Sequence, residues 1–239
     1  MNISVIITSY NQKRYLSEAI ESVLAQTTAP YEIIISDDAS TDGSQALIEG
    51  YAGRYPDLVR PLYHRQNQGP SGNRNAALKE ARGEAVTILD GDDRFLPEKL
   101  EKEAAALHRH PEARAVYSNF AYISSDGERL RLWAEGEMLP QGNVFAEIFG
   151  LRFPRAVPFR APLVLRQCYE ETGYYDPALR LWEDWDMAIR LTQRYAVAAC
   201  LVVLSQYRQH PSGLSDVNLP AHLHALIRVY EKNRPLLAS

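Results

Sequence analysis

Acidic clusters and one arginine supply most of the chemistry available to this chain of 239 residues. Asp37 and Asp38 stand in IIISDDASTDGS, Asp90, Asp92 and Asp93 in ILDGDD, and Glu183 and Asp184 in LWEDWDMAIRL; Arg74 stands in GPSGNRNAAL. Carboxylates either hold a hard divalent cation through oxygen or move a proton. The three in LDGDD follow the apolar run Ala85 to Leu89, and at the end of a buried strand they suit Mg2+ or Mn2+, whose charge would bridge the sheet to a diphosphate. A solvated acidic turn is the plainer alternative. Glu183 and Asp184 open a helix in which Trp185, Ala188, Ile189 and Thr192 can bury one face, and carboxylates at a helix start ordinarily serve as caps.

The elements that must position these groups follow from hydrophobic periodicity. Ile3 to Thr8, Tyr31 to Ser36, Val59 to His64 and Ala85 to Leu89 read as strands. Helical spacing follows each of the first three: Leu16 to Leu24, Ala46 to Tyr51 and Asn73 to Ala81. Such alternation predicts a parallel sheet covered on both faces. Ligands of open α/β sheets bind beyond the carboxyl ends of the strands, where this sequence places Thr8 to Asn11, Asp37 and Asp38, His64 to Asn67, and Asp90 to Asp93. Pro97 opens a further helix and Ala115 to Tyr117 forms a short strand. A hairpin is expected around SSDGE between Phe120 and Trp133, a short helix at Val144 to Phe149, a strand at Val197 to Tyr207 and a terminal amphipathic helix at Leu219 to Leu237.

Composition narrows the function. A net charge of -4 carries no basic excess for a phosphate backbone, so nucleic acid is excluded as a partner. Cys168 and Cys200 have no metal-ligand spacing and are expected as buried thiols in a reducing compartment. The N-terminus lacks the basic n-region and cleavage site of a signal peptide and is expected to form the first strand. The longest apolar run, Ala196 to Leu204, has nine residues against the roughly 20 that cross a bilayer. A cytoplasmic location is expected, with any membrane contact peripheral, at the inner membrane surface. No GxGxxG follows the first strand and no GxxxxGK[ST] occurs, so a pyrophosphate must be neutralised by other means.

Taken in order, ISVIITSYN, IIISDDASTDGS, GPSGNRNAAL, ILDGDD and LWEDWDMAIRL resemble the family 2 glycosyltransferases, which are inverting enzymes of the GT-A fold. The resemblance implies an α/β fold with a Rossmann-like, mostly parallel sheet flanked by helices and a smaller acceptor-side region. It implies a nucleotide-sugar-binding half over 1–118, an acceptor-binding and catalytic half over 119–218, and a C-terminal helix over 219–239. The implied reaction transfers a sugar from a nucleotide diphosphate sugar, a UDP-sugar by preference, to a hydroxyl of a carbohydrate or lipid-linked acceptor in polysaccharide or glycolipid synthesis, with Mn2+ or Mg2+ as cofactor.

Residue roles carried by the resemblance place Thr8, Tyr10 and Asp38 on the nucleoside. Chemistry agrees, since Tyr10 can stack on a base while a carboxylate accepts an imide N–H. A loop-capping role stands beside this for Asp37. Arg74 falls near the nucleotide, meeting phosphate or organising the aspartates. Asp90 and Asp92 form the DxD, Asp92 for direct metal ligation and Asp90 for ribose or metal; Asp93 is available for either role, and the sequence leaves the order of the three open. Asp184 is the implied general base, Glu183 orients acceptor or base, and Asp186 serves structure. YRQHPSGLS resembles a segment approaching metal and diphosphate, which makes His210 a metal-site candidate and Arg208 a phosphate clamp; a solvent-exposed loop histidine is the alternative. The patch Leu151 to Arg160 either touches an anionic acceptor or covers the core. Two other classes compete: a non-catalytic nucleotide-sugar-binding module, and a sugar nucleotidyltransferase, which should have a Gly-rich basic loop where TSYNQKRY stands.

Overall fold

The computed structural model describes residues 1–153, 160–211 and 219–238. Four parallel strands form one side of its sheet: β1 (Ile3–Ser9), β2 (Glu32–Asp37), β3 (Val59–Tyr63) and β4 (Ala85–Asp90), in the spatial order β3-β2-β1-β4. Between them run α1 (Lys13–Leu24), α2 (Ser44–Arg54) and α3 (Gly69–Glu80). Because successive strand residues point to opposite faces, β1 feeds two cores. Ile6 packs with Ile34, Val86 and Ile88 on one face, while Val5 and Ile7 join Ile33, Ile35 and Leu89 on the other. In α1, Leu16, Ala19, Ile20 and Val23 recur at helical spacing and close the second face.

Beyond β4 the sheet continues through β8 (Leu163–Leu165), β6 (Ala113–Ile123), β9 (Ala196–Arg208) and β5 (Arg94–Phe95), with β7 (Arg129–Leu132) paired to β6. β8 runs antiparallel to both β4 and β6, so the sheet is mostly, not wholly, parallel. The predicted short strand at Ala115 to Tyr117 is corrected to the eleven residues of β6, which cross residue 118. Ser118 and Asn119 break the apolar run in sequence, yet both are buried. The Asn119 side chain explains this: its amide donates to the Ala134 carbonyl at 2.8 Å, and its Oδ1 accepts the Phe120 and Ala134 N–H groups where the β6–β9 register shifts.

The helices of this half are α4 (Lys99–Arg109), α5 (Phe145–Phe149), α6 (Arg166–Thr172), α7 (Glu183–Arg194) and α8 (Leu219–Asn233), followed by a 3-10 turn (Arg234–Ala238). The hairpin, the short helix and the terminal helix stand where the sequence places them. Sequence reading missed β5, β8 and α6, which are too short to show a period. On α7 the face of Trp185, Ala188, Ile189 and Thr192 is buried, as its spacing predicts. Asp186 is fully buried, paired with Arg190 and Lys232 at 2.8 Å each and accepting from Asn233 at 2.9 Å, so α8 is tied to α7 by charge. Both cysteines are buried and free. Among the described residues no helix is long and apolar enough to cross a membrane.

Candidate active site

Parallel register puts the first polar residues side by side at the carboxyl edge, Thr8 opposite Asp90 and Ser9 opposite Asp37. The Thr8 hydroxyl donates to Asp90 Oδ1 at 2.9 Å, so it fixes a carboxylate. Tyr10, which follows β1 directly, is 49% exposed, and an exposed aromatic ring can stack on a planar partner. Asp37 is fully buried and accepts from the Ser40 N–H and the Gln45 amide through one oxygen, the loop-capping role the sequence left open. Asp38 accepts the N–H groups of Gln68 and Gly69 at 2.7 and 2.9 Å, drawing the start of α3 to the edge of the sheet. Gly69 has φ +76, a left-handed conformation that favours glycine, and it presents that N–H.

The LDGDD turn leaves β4 next to the end of β1. Gly91 donates to the Thr8 carbonyl at 2.8 Å, and a Cβ there would lie 2.8 Å from that same oxygen, so only glycine lets the turn approach so closely. Asp92 Oδ2 lies 3.0 Å from His210 Nε2, and the His210 ring packs on Tyr15 with centroids 4.9 Å apart. The His210 side chain is 5% exposed, so the solvent-exposed loop alternative is corrected. Asp93 is buried, and Oδ1 accepts the Arg208 N–H at 2.8 Å. Burial, then the charges of Asp92 and Asp90, push its carboxyl well above the ordinary range.

The expectation that Arg208 clamps a phosphate is corrected. Its side chain is fully buried and spent on the Asp92 carbonyl at 2.8 Å, the Ser125 carbonyl at 3.0 Å and Glu18 at 2.7 Å, so it anchors the acidic turn from behind. Among the described residues no three His, Cys, Asp or Glu side chains converge as a ready metal cage. Mg2+ is commonly held by one or two carboxylates together with water and substrate phosphates. Asp92 and Asp93, crowded beside the His210 imidazole, bring oxygen donors of the kind such a cation takes, and a cation there would relieve the repulsion between them.

Arg74 joins the two halves. From α3 its guanidinium donates to Asp90 at 2.9 and 3.2 Å and to Glu183 Oε1 at 2.5 Å, and it lies over the Tyr175 ring. Burial alone would raise the Asp90 carboxyl, but Arg74, Arg160 and Thr8 outweigh it and hold it below the ordinary value. At Glu183 burial prevails over Arg74, and with Asp184 and Asp90 nearby its carboxyl is raised. Asp184 accepts the Trp185 N–H at 2.8 Å and faces the cleft that Arg74, Asp90 and Asp93 also line. Asp90 and Asp93 of LDGDD and Asp184 of EDWD therefore line one cleft. Trp182, just before α7, has φ 60, a strained conformation for a bulky residue, and its indole donates to His222 of α8 at 3.1 Å.

Sequence reasoning missed the rest of the wall. Tyr169 and Tyr175 flank Arg74, and Tyr207, expected only to pack, carries Arg160 over its ring at 3.9 Å. Nothing periodic marks them; an arginine at the end of a Pro- and Phe-rich loop was the one signal. Residues 154–159 of that patch, and Ser212 to Ser215 of the YRQHPSGLS segment, lie outside the described residues.

Residues 4–163 match the sequence profile described as Glycosyl transferase family 2. The chain is 35% identical to the putative glycosyltransferase EpsE of Bacillus subtilis over 90% of this chain and 84% of that one. It is 32% identical to the succinoglycan biosynthesis protein ExoO of Rhizobium meliloti over 96% of this chain and 67% of that one. It spans 60% of the length of the uncharacterized mycobacterial proteins it matches. The crystal structure of S. aureus TarS in complex with UDP-GlcNAc superposes with a TM-score of 0.73 at 21% identity, over 96% of this chain and 65% of that one, a likeness of fold. The fold is of the GT-A type.

Proposed function

This chain belongs to glycosyl transferase family 2, and from that premise we propose that it transfers a sugar from a nucleotide diphosphate sugar, a UDP-sugar by preference, to an acceptor hydroxyl with inversion. The observation that carries the reading is the Arg74 bridge, which draws Asp90 and the start of α7 to one cleft. The donor preference is supported by Tyr10 and Asp38 at the carboxyl edge of the sheet, and by the UDP and UDP-GlcNAc complexes of the similarly folded TarS. Polysaccharide synthesis as the setting is supported by the printed name of ExoO.

In the proposed reaction Asp184 accepts the proton of the acceptor hydroxyl, whose oxygen forms a bond to the anomeric carbon on the face opposite the diphosphate. The carbon–oxygen bond to the diphosphate breaks, its electron pair leaves on the nucleoside diphosphate, and the anomeric configuration inverts. Glu183, held by Arg74, orients the base and the acceptor; positioning supplies much of the rate. Asp92, Asp93 and His210 would hold Mn2+ or Mg2+, which would stabilise the negative charge of the departing diphosphate. A lipid-linked acceptor reached by peripheral membrane contact is supported by Leu219, Leu223, Ile227 and Tyr230, an exposed apolar stripe along α8.

The test is a thermal-shift series of nucleoside diphosphates with and without Mn2+, followed by product analysis with the matching nucleotide sugar. A Mn2+-dependent shift with UDP and release of UDP on transfer are expected. Pyrophosphate release instead would overturn the transfer reading.

A further inference from the structure

Two guanidinium groups face the cleft, and they are not equivalent. Arg74 is spent on Glu183 and Asp90. Arg160 makes no ion pair or hydrogen bond with a described residue, and its Nε is buried without an acceptor. Its plane is fixed by the Tyr207 ring, 3.9 Å from the guanidinium carbon, so it is held in place without being neutralised. The surrounding charges of Asp184, Asp93 and Asp90 keep it protonated. Leaving N–H donors of a charged group unsatisfied costs free energy that an anionic ligand recovers. The same cleft is lined by Asp184, the proposed base, and by Asp90 and Asp93 of the acidic turn, so Arg160 shares it with the groups of the proposed reaction.

We propose that Arg160 is a further catalytic residue, donating to the terminal phosphate of the donor's diphosphate and stabilising the charge that arrives there as the glycosidic bond breaks. Its fork shape suits a phosphate bidentately, and Tyr207 orients it in advance. The inference rests on the nucleotide-sugar reading above and extends it to a residue outside the motifs that suggested that reading.

Binding of UDP and UMP, measured by titration calorimetry with Mn2+ present throughout, tests it, since the two ligands differ by that phosphate. Wild-type protein should prefer UDP. R160Q should lose about ten- to a hundredfold of that preference, the range of a charge-assisted hydrogen bond, while its affinity for UMP stays put. R160K, which keeps the charge without the planar fork, should fall between and guards against a folding defect in R160Q. If R160Q keeps the wild-type ratio, or loses UMP and UDP binding equally, Arg160 does not hold that phosphate. If R160Q instead changes only the choice between UDP-glucose and UDP-glucuronate, it reads the sugar and the assignment is overturned. Should wild-type protein bind neither nucleotide, the donor reading itself fails, which is a separate result.

Discussion

Arg74 Nη1 lies 2.5 Å from Glu183 Oε1, a contact between residues 109 positions apart that links α3 to the first residue of α7. With the other arm on Asp90, one side chain sets the spacing between the end of β4 and the start of α7. Both partners are largely removed from water, so the contact is sensitive to loss of either one.

Replacing Arg74 by Ala should destabilise the fold by about 3–5 kcal/mol, because it strands buried carboxylates, and should abolish transfer. Thermal melting separates the two effects when R74M/E183Q is included. That double variant should regain much of the stability and none of the turnover; regained turnover would show that the bridge is not needed for catalysis.

Asp184→Asn should leave UDP affinity within about twofold and lower kcat by about 10²–10⁴, the contribution of a positioned general base. Titration calorimetry and product formation read the two quantities. Near-normal turnover would remove Asp184 from the mechanism.

For the cation, Asp92→Asn should erase the Mn2+-dependent part of the UDP thermal shift, and His210→Ala should weaken apparent Mn2+ affinity by about 10–100-fold. Metal titrations at fixed UDP measure both. Unchanged affinity in the two variants would place the cation elsewhere.

The raised Asp93 carboxyl makes stability depend on pH with a definite sign. In the unfolded chain it titrates near about 3.9, and in the folded chain above that, so the folded state binds its proton more tightly. The contribution of this one carboxyl is therefore fully present below about pH 4 and is lost as pH rises through the higher folded value. Asp93→Asn keeps an oxygen to accept the Arg208 N–H and removes the repulsion. In metal-free buffer it should melt above wild type at about pH 7, by about 2–4 °C for each kcal/mol relieved, and converge with it towards pH 4. A variant that melts lower at both pH values would contradict the assignment.

The strands β1, β2 and β4 were legible because buried parallel strands are unbroken β-branched runs, and their polar endings are local facts of the sequence. Asp90 and Asp92 were singled out for the same reason, whereas Asp184, at a helix start, was singled out by the family resemblance of its motif. Arg208 was misjudged, and Arg160 was read only as the end of the Leu151 to Arg160 patch, because burial and partnership are set by residues far away in the chain. Arg208 meets Glu18 across 190 positions, and Arg160 owes its orientation to Tyr207 on another strand. Asn119 hid the length of β6 by the same logic, since a polar side chain reads as an interruption until its backbone partners are known.

The terminal helix has a bearing on how the polypeptide can be shortened or joined to other segments. Stopping the chain short of Leu219 removes Lys232 and Asn233 from Asp186, leaving that buried carboxylate with Arg190 of its own helix as its remaining ion-pair partner among the described residues, and frees the indole of Trp182 from His222. The last twenty-odd residues thus brace α7, and through His222 they hold the strained Trp182 that stands two positions before the proposed base.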